Sequence, residues 1–570
     1  MNMIVVIIAG FFLRFLFPLE NVFHFDQEQI AIAAQKILDG HLTLIGPLAN
    51  TISFFTGPLI YYLAVGAYWL TGGHPLANAL VGTGIYLLSA ICIWFFLRRL
   101  TTPIVAWFFI GIYSLSAHIV ILDRITWDPN LSFLSGTLVL ISLLFPLGKL
   151  SFLIGFLGMW LAYQAHFAGF VLAAEVVLLG AWLRRWRYII LSLSGLVLSL
   201  IPTFIFDLRH DWLNSRGLLA MISNPNRISG DFLIYQRFFQ AILISLENLT
   251  KIMIPVLPKW GLVGLGALVL GFWLKYRSSI FNRRQRIILL VWILVFPLVV
   301  MFYHGSTPEY YYLMQLPAFV FILTDLFLGL KAKLPVSVIL AGFCLIALGA
   351  VIQQTQILAA GPSLNNKFNA LEYIKKNQLN QPVELVFDMD IKDRFGWNYL
   401  IDYLKILPGE NSTKVHLIYP INSGAILTAK FGGIGVWFDR RGEVDAQAFV
   451  DDIHGILFYY PNDYWQLDLN RPFKMRAFIP QNLGEKAALD AGIFYLYLPK
   501  NEINKYFQVS DKLGKPGSLD RWQSVSFLQD QLVNRKTLTR ERKEDLFIFS
   551  FPQDYTWKEV ELFLSQVEGF

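Results

Sequence analysis

Charge and cysteine are scarce in this chain: only 15% of its 570 residues are charged, and only two are cysteines. Cys92 and Cys344 both fall inside apolar runs, where a thiol packs as a small hydrophobe. A disulfide framework and a thiolate metal cluster are thereby excluded. Residues 1–17 lack a basic n-region and a small-residue cleavage site, so they read as a retained first membrane span and not as a signal peptide. Apolar runs of roughly 15 to 20 residues recur up to about position 353 and then stop. Over the whole chain 55% of residues are hydrophobic and 15% aromatic, with a mean hydropathy of +0.51, the composition of an integral membrane protein. The net charge of +7 does not point to nucleic acid. The basic residues cluster in short loops between apolar runs, as the positive-inside rule requires, which makes the lipid bilayer the partner.

Apolar runs of spanning length are predicted at 3–19, 78–97, 103–122, 131–147, 150–164, 167–183, 188–206, 260–275, 287–303, 310–328 and 334–353, about eleven transmembrane helices. Arg98, Arg99, Lys149, Arg184, Arg185, Arg187, the run from Lys275 to Arg286, Lys331 and Lys333 then share one side, the cytoplasmic one. Two further apolar segments, 57–71 and 238–257, are short or carry charge and read as interfacial helices. After residue 355 the hydropathy falls to that of ordinary mixed sequence. The expected division is therefore a polytopic α-helical membrane domain over 1–355 and a C-terminal extracytoplasmic domain over 356–570. In the latter, QPVELVFDM, KVHLIYPI, IGVWFD and GILFYY read as strands and 366–377 and 396–405 as helices, an α/β or α+β domain.

The span count gathers four polar stretches at the outer face: 20–56, DRITWDPN at 123–130, FDLRHDWLNSR from 206, and HGSTPEYYY at 304–312. In the first, Ile30, Ala33, Ala34, Ile37 and Leu38 repeat with helical spacing, predicting an amphipathic helix over 27–39 that stops at Gly40. Asp26 falls at its N-cap with Gln29 three residues later, the spacing of a capping box. Capping is the ordinary work of such an aspartate. An outer-face carboxylate can do more. Sugar nucleotides are not generally available outside, so glycosyl transfer there needs a lipid-carried donor whose phosphate leaves without protonation. What remains to be supplied is a carboxylate to take the acceptor's proton and cations to stabilise the leaving phosphate.

In the order and spacing of its pieces the chain resembles the GT-C membrane glycosyltransferases, in the branch of protein O-mannosyltransferases and lipid A aminoarabinose transferases. The resemblance covers residues 1 to about 353 and is carried by Arg14 in the first span, FDQEQIAIAAQKILDG, FTGPLIYYLAVGAYWLTGG where the family has His-Pro-Pro-Leu, the span before Arg98, and DRITWDPN. It implies transfer from a polyprenyl phosphate sugar to an outer-face acceptor hydroxyl with inversion, and a first-loop aspartate as catalytic carboxylate. By position that residue is Asp26. The family's adjacent acidic pair is spread here over Asp26-Gln27-Glu28, which makes Glu28 a secondary candidate.

Asp128, an ordinary turn opener before Pro129, becomes a third candidate carboxylate beside the family's second acidic region. Arg14, Arg124, Arg209, His210 and Arg216 are candidate phosphate contacts, against plain lipid-headgroup binding. His166 is more often a hydrogen-bonded structural residue than a ligand. Glu309 and Tyr310 stand at the outer cavity or in an aromatic belt. Glu175, deep in a span, requires a partner inside the bundle that the sequence does not name. No cofactor is certain, though a divalent metal is compatible with the acids. Two other functions compete: an oligosaccharyltransferase or glycan ligase using a lipid pyrophosphate, and a transporter of a lipid-linked glycan.

Overall fold

A computed structural model describes residues 3–50, 54–145, 148–223, 234–255, 257–275, 280–302, 308–329, 335–378, 382–409, 412–421 and 427–439, and beyond that only the backbone of strands between 446 and 550. Lys331 and Lys333, expected to be cytoplasmic, and residues 304–307, expected in the last outer loop, lie outside the described residues. Two units divide the chain: Met1–Asn365 together with Phe395–Tyr403, and Asn366–Arg394 together with Leu404–Phe570.

The first unit is helical. In chain order it contains α1 (Met3–Phe15), α2 (Phe25–Leu38), the short strands β1 (Leu48–Asn50) and β2 (Phe54–Phe55), α3 (Leu59–Leu70), α4 (Ala77–Leu100), α5 (Pro103–Leu115), α6 (Ala117–Arg124), α7 (Ser132–Leu144), α8 (Lys149–Ala165), α9 (Phe170–Trp182) and α10 (Trp186–Arg209). There follow α11 (Leu213–Ser223), α12 (Ile234–Lys251), α13 (Lys259–Lys275), α14 (Arg283–Val300), α15 (Leu316–Gly329), α16 (Val336–Ala359) and the start of α17 (Leu364–Gln378). Helix occupies all eleven segments expected to span. Among the described residues, Ala77–Leu100, Trp186–Arg209 and Val336–Asn377 are long and apolar enough to cross a membrane, and α5 with α6 makes a fourth if the bent pair counts as one. The interfacial segments expected at 57–71 and 238–257 correspond to α3 and α12.

Two local expectations are corrected. The span expected at 103–122 is broken at Ser116, where the backbone is extended and the helix bends by 55°. Ser116 Oγ donates to the Ile252 carbonyl at 3.1 Å, so the freed hydroxyl is satisfied by the neighbouring segment after α12. The second correction concerns α2. It begins one residue before Asp26, with His24 as N-cap, and Gln27 Oε1 accepts the His24 amide at 3.1 Å. Gln27, not Gln29, makes the reciprocal capping contact, and Asp26 sits inside the first turn. Ile30 and Ala34 are buried as the periodicity requires, with Gln27, Glu28 and Ala31 beside them, and Gly40 follows the helix at φ +91°.

Helix packing is close because small residues face one another. A Cβ on Gly195 of α10 would strike the Phe156 carbonyl of α8, and one on Gly155 would meet Ser192 and Tyr188. Elsewhere the interior is aromatic, with Tyr113 stacked on Phe133 at 4.3 Å and 10°.

The second unit contains a four-stranded sheet built from β3 (Val383–Met389), β4 (Thr413–Tyr419), β5 (Ala429–Phe431) and β6 (Ile434–Asp439), in the order β3-β4-β6-β5. β3 pairs with β4 in parallel, and the remaining pairs are antiparallel. Val383, Val415, Leu417, Ile434 and Val436 are buried, and so are Ala370, Leu371 and Ile374 of α17. The strand expected from GILFYY is present at Ile456–Pro461, paired with Ala446–Asp451. The helix expected near 396–405, α18 (Asn398–Leu404), lies mostly in the Phe395–Tyr403 segment that belongs to the first unit.

Candidate active site

Asp26 is carried on the first turn of α2, a position where the helix dipole lowers a carboxylate's pKa. Burial wins over the dipole. No donor among the described residues reaches the Asp26 carboxylate, and burial raises its pKa from 3.8 to about 6. Asp128 opens the short 3-10 turn Asp128–Leu131 and is itself buried, with 8% of its surface exposed. Its Oδ2 accepts the Thr56 hydroxyl at 2.9 Å. Burial first, and the Asp26 charge second, push Asp128 well above the usual carboxylate range, and the Thr56 hydrogen bond offsets only part of this. The Tyr61 ring of α3, 6% exposed, completes the group: burial and then the charges of Asp128 and Asp26 raise its hydroxyl pKa. Two residues 102 positions apart in sequence thus form an acid pair under a tyrosine.

The other candidate residues divide sharply. Glu28 is buried with both oxygens engaged: Oε2 accepts the Gly396 amide at 3.0 Å and Oε1 the Tyr399 amide at 3.1 Å, which caps the start of α18. Arg14 is 1% exposed. It donates twice to Asp123 Oδ2, at 2.9 and 2.8 Å, and to the carbonyls of Gly10, Ser114 and Tyr113, with its guanidinium 3.7 Å from the Tyr86 ring centroid. The expectation that it reaches outward to a phosphate is not met, because its hydrogen-bonding capacity is consumed within the bundle. Arg124 behaves alike. It donates to the carbonyls of Leu13, Arg14, Leu16 and Glu20 and to the Gln354 side chain, closing the C-terminal end of α1.

His166 Nδ1 accepts the Ala168 amide at 3.2 Å, and its ring lies against Phe167, Tyr310 and Tyr311. Burial lowers its pKa to about 3, so it stands neutral and adds no cation. Tyr310 also packs on Trp127, the neighbour of Asp128, with centroids 4.4 Å apart. Glu309 pairs with Lys251 at 2.9 Å and lies 4.0 Å from His118 Nδ1. Arg209, His210 and Arg216 are exposed around the turn from α10 to α11. Asp207 holds that turn by accepting the amides of Asn214 and Ser215. Asn214 in turn accepts the Phe55 amide at 2.5 Å, next to the Thr56 that binds Asp128. Two hydrogen bonds therefore tie the arginine-bearing turn to the acid pair.

No protein family and no curated protein matches the sequence. Among solved structures the chain is similar to ArnT from Cupriavidus metallidurans, in crystal structures bound to undecaprenyl phosphate and in the apo state. Identities are 11% and 13%, and in both cases the TM-score is 0.48, with 76% of this chain and 97% of the other covered. A likeness this shallow carries neither activity nor residue roles across.

Thr56 and Tyr61 belong to the site although sequence reasoning did not single them out. Their signal was present, since both lie in FTGPLIYYLAVGAYWLTGG, and Thr56 takes the place of a histidine in the pattern that segment resembles. Glu175 is buried with Oε2 unpartnered among the described residues, so its partner remains unnamed by the fold as well. Among the described residues no group of three or more His, Cys, Asp or Glu could hold a metal ion.

Proposed function

We propose that the chain is a membrane glycosyltransferase that moves a sugar from a polyprenyl phosphate donor to an acceptor hydroxyl at the outer membrane face, with its N-terminus cytoplasmic. What supports this reading is Asp26: a carboxylate in the loop after the first apolar run, reached by no donor among the described residues and raised by burial to about 6, so that it is ionised at neutral pH yet basic enough to accept a proton. In the reaction the acceptor oxygen attacks the anomeric carbon from the face opposite the phosphate. Its proton passes to Asp26 while the bond to the phosphate oxygen breaks and the phosphate leaves with the electron pair. Configuration inverts. Asp128, whose burial favours the protonated form, serves as a hydrogen-bond donor beside the base, and Tyr61 orients the acceptor. Arg209 and Arg216 supply the cations for the leaving phosphate, the work that Arg14 and Arg124 are too committed to perform. Glu28 positions the 396–399 segment and takes no part in the chemistry.

The test is consumption of radiolabelled polyprenyl phosphate sugars by the purified protein and by Asp26→Asn. Loss of about 10²- to 10⁴-fold in transfer is expected for the variant. Undiminished transfer by well-folded Asp26→Asn would remove Asp26 as the base.

A further inference from the structure

α8 and α10 run side by side in the same direction. Gly155 lies beside Ser192, and Gln164 Nε2 bonds Ser199 Oγ at 3.0 Å. Their N-terminal ends therefore open at the same level, and between them is a cleft of about 480 Å³ lined by Gly148, Ser151, Arg184, Arg185, Arg187 and Tyr188 among others. Neither helix start carries a side-chain cap or an acid in its first turn. The uncapped amides of two helices and three guanidinium groups thus converge on one space.

The arginines are short of partners. Among the described residues no carboxylate pairs with Arg184, Arg185, Arg187 or Arg284, and Arg185 makes only a long bond, 3.4 Å, to the Leu143 carbonyl. Burial and then the charge of Arg284 press Arg185 toward its neutral form, which is an unfavourable arrangement for the empty cleft and a favourable one when an anion fills it. Positive-inside statistics account for arginines on this side of the membrane, but not for three of them around a cleft bounded by two helix starts.

The surroundings of the cleft are apolar. Trp186 is 63% exposed at its rim, and Leu153 of α8 with Ile190 and Leu191 of α10 continue an exposed hydrophobic flank along the same two helices. A headgroup in the cleft would leave its acyl chains lying on that flank. We infer that the cleft between the N-terminal ends of α8 and α10 binds the phosphate of an anionic glycerophospholipid, held by Arg184, Arg185 and Arg187. The site is independent of the sugar-transfer reading.

Delipidated full-length protein in neutral detergent is titrated with phosphatidylglycerol, phosphatidylcholine and inorganic phosphate, with binding read by native mass spectrometry. Phosphatidylglycerol is expected to be retained in preference to phosphatidylcholine, and Arg185→Gln/Arg187→Gln to weaken it about thirty-fold. Monodispersity and an unchanged melting temperature establish that the variant is folded. Arg98→Gln/Arg99→Gln removes two charges outside the cleft and is expected to leave retention unchanged. Equal losses in both double variants would show diffuse surface attraction and overturn the cleft. Inorganic phosphate binding as tightly as phosphatidylglycerol would overturn the lipid and leave a site for a free anion.

Discussion

Two buried aspartates of this chain, Asp123 and Asp128, lie five residues apart and have opposite surroundings. Asp123 receives two hydrogen bonds from Arg14, whose remaining donors close on carbonyls of α1 and α5. Asp128 faces a second acid, a threonine and a tyrosine, with no arginine or lysine within bonding reach among the described residues. The first arrangement satisfies its charges and leaves nothing for a ligand. The second leaves the Asp26 charge without a compensating donor, and that is where a reacting group has something to meet. Unsatisfied charge, not charge as such, distinguishes a candidate site from scaffolding here.

The contrast is sharpest under truncation. Arg14→Met leaves Asp123 buried without a cationic partner, with only the Asn130 side chain still bonded to it, and a loss of about 3–5 kcal/mol is expected. Thermal or denaturant unfolding of the purified protein measures it. Arg14→Met/Asp123→Leu should recover most of the loss, since an apolar pair of similar volume replaces both charges. If Arg14→Met is neutral, the pair is not the fastener that its hydrogen bonds describe.

Asp26→Asn is expected to act with the opposite sign. The folded-state pKa of about 6 lies above the ordinary 3.8, so the folded protein binds more protons between these values. Whatever stability protonated Asp26 retains at low pH is lost as pH rises through about 6. Removing the charge should therefore stabilise the protein by about 2 kcal/mol near neutral pH, after allowance for partial solvent screening, and by nothing below about pH 4. Melting temperatures of the variant and parent, compared across that window, supply the check. A gain in stability with a loss of transfer is the signature of a group kept for function.

How much of this was legible beforehand differs between the two arrangements. Helix positions were readable because hydrophobic periodicity is local, and of the strands of the second unit those at Val383–Met389, Thr413–Tyr419, Ile434–Asp439 and Ile456–Pro461 were readable from their composition, while the others were not singled out. Asp26 was selectable from its place after the first apolar run. Its freedom from capping was not, because a shift of two residues in the helix start decides whether it meets the backbone, and the extended His24 sets that start. The commitment of Arg14 to Asp123 spans 109 positions and depends on the bend at Ser116, which turns α6 back upon α1. No local pattern encodes it. The arginines expected at the outer face looked equivalent in sequence, yet Arg14 and Arg124 are fasteners while Arg209 and Arg216 are exposed.

Glu28 tests whether the carboxylate next to Asp26 belongs with the fasteners. Glutamine in its place keeps one acceptor oxygen for the Gly396 or Tyr399 amide and abandons the other, so a loss of about 1 kcal/mol in stability is expected. Transfer by the folded variant should stay within about threefold of the parent. A loss comparable to that of Asp26→Asn would return Glu28 to the chemistry.

The smallest expected effect is the most discriminating for the acid pair itself. Transfer should rise with pH through about 6 as Asp26 ionises and level off above it. If Asp128 is already neutral in that range, Asp128→Asn removes no charge, and the midpoint of the rise should remain in place. Asparagine can still accept the Thr56 hydroxyl through its amide oxygen, so the geometry around Asp26 is preserved. A midpoint displaced downward by about one unit would instead mean that Asp128 carries charge while Asp26 titrates. The proton would then belong to the pair, and the role of base would have to be shared between them.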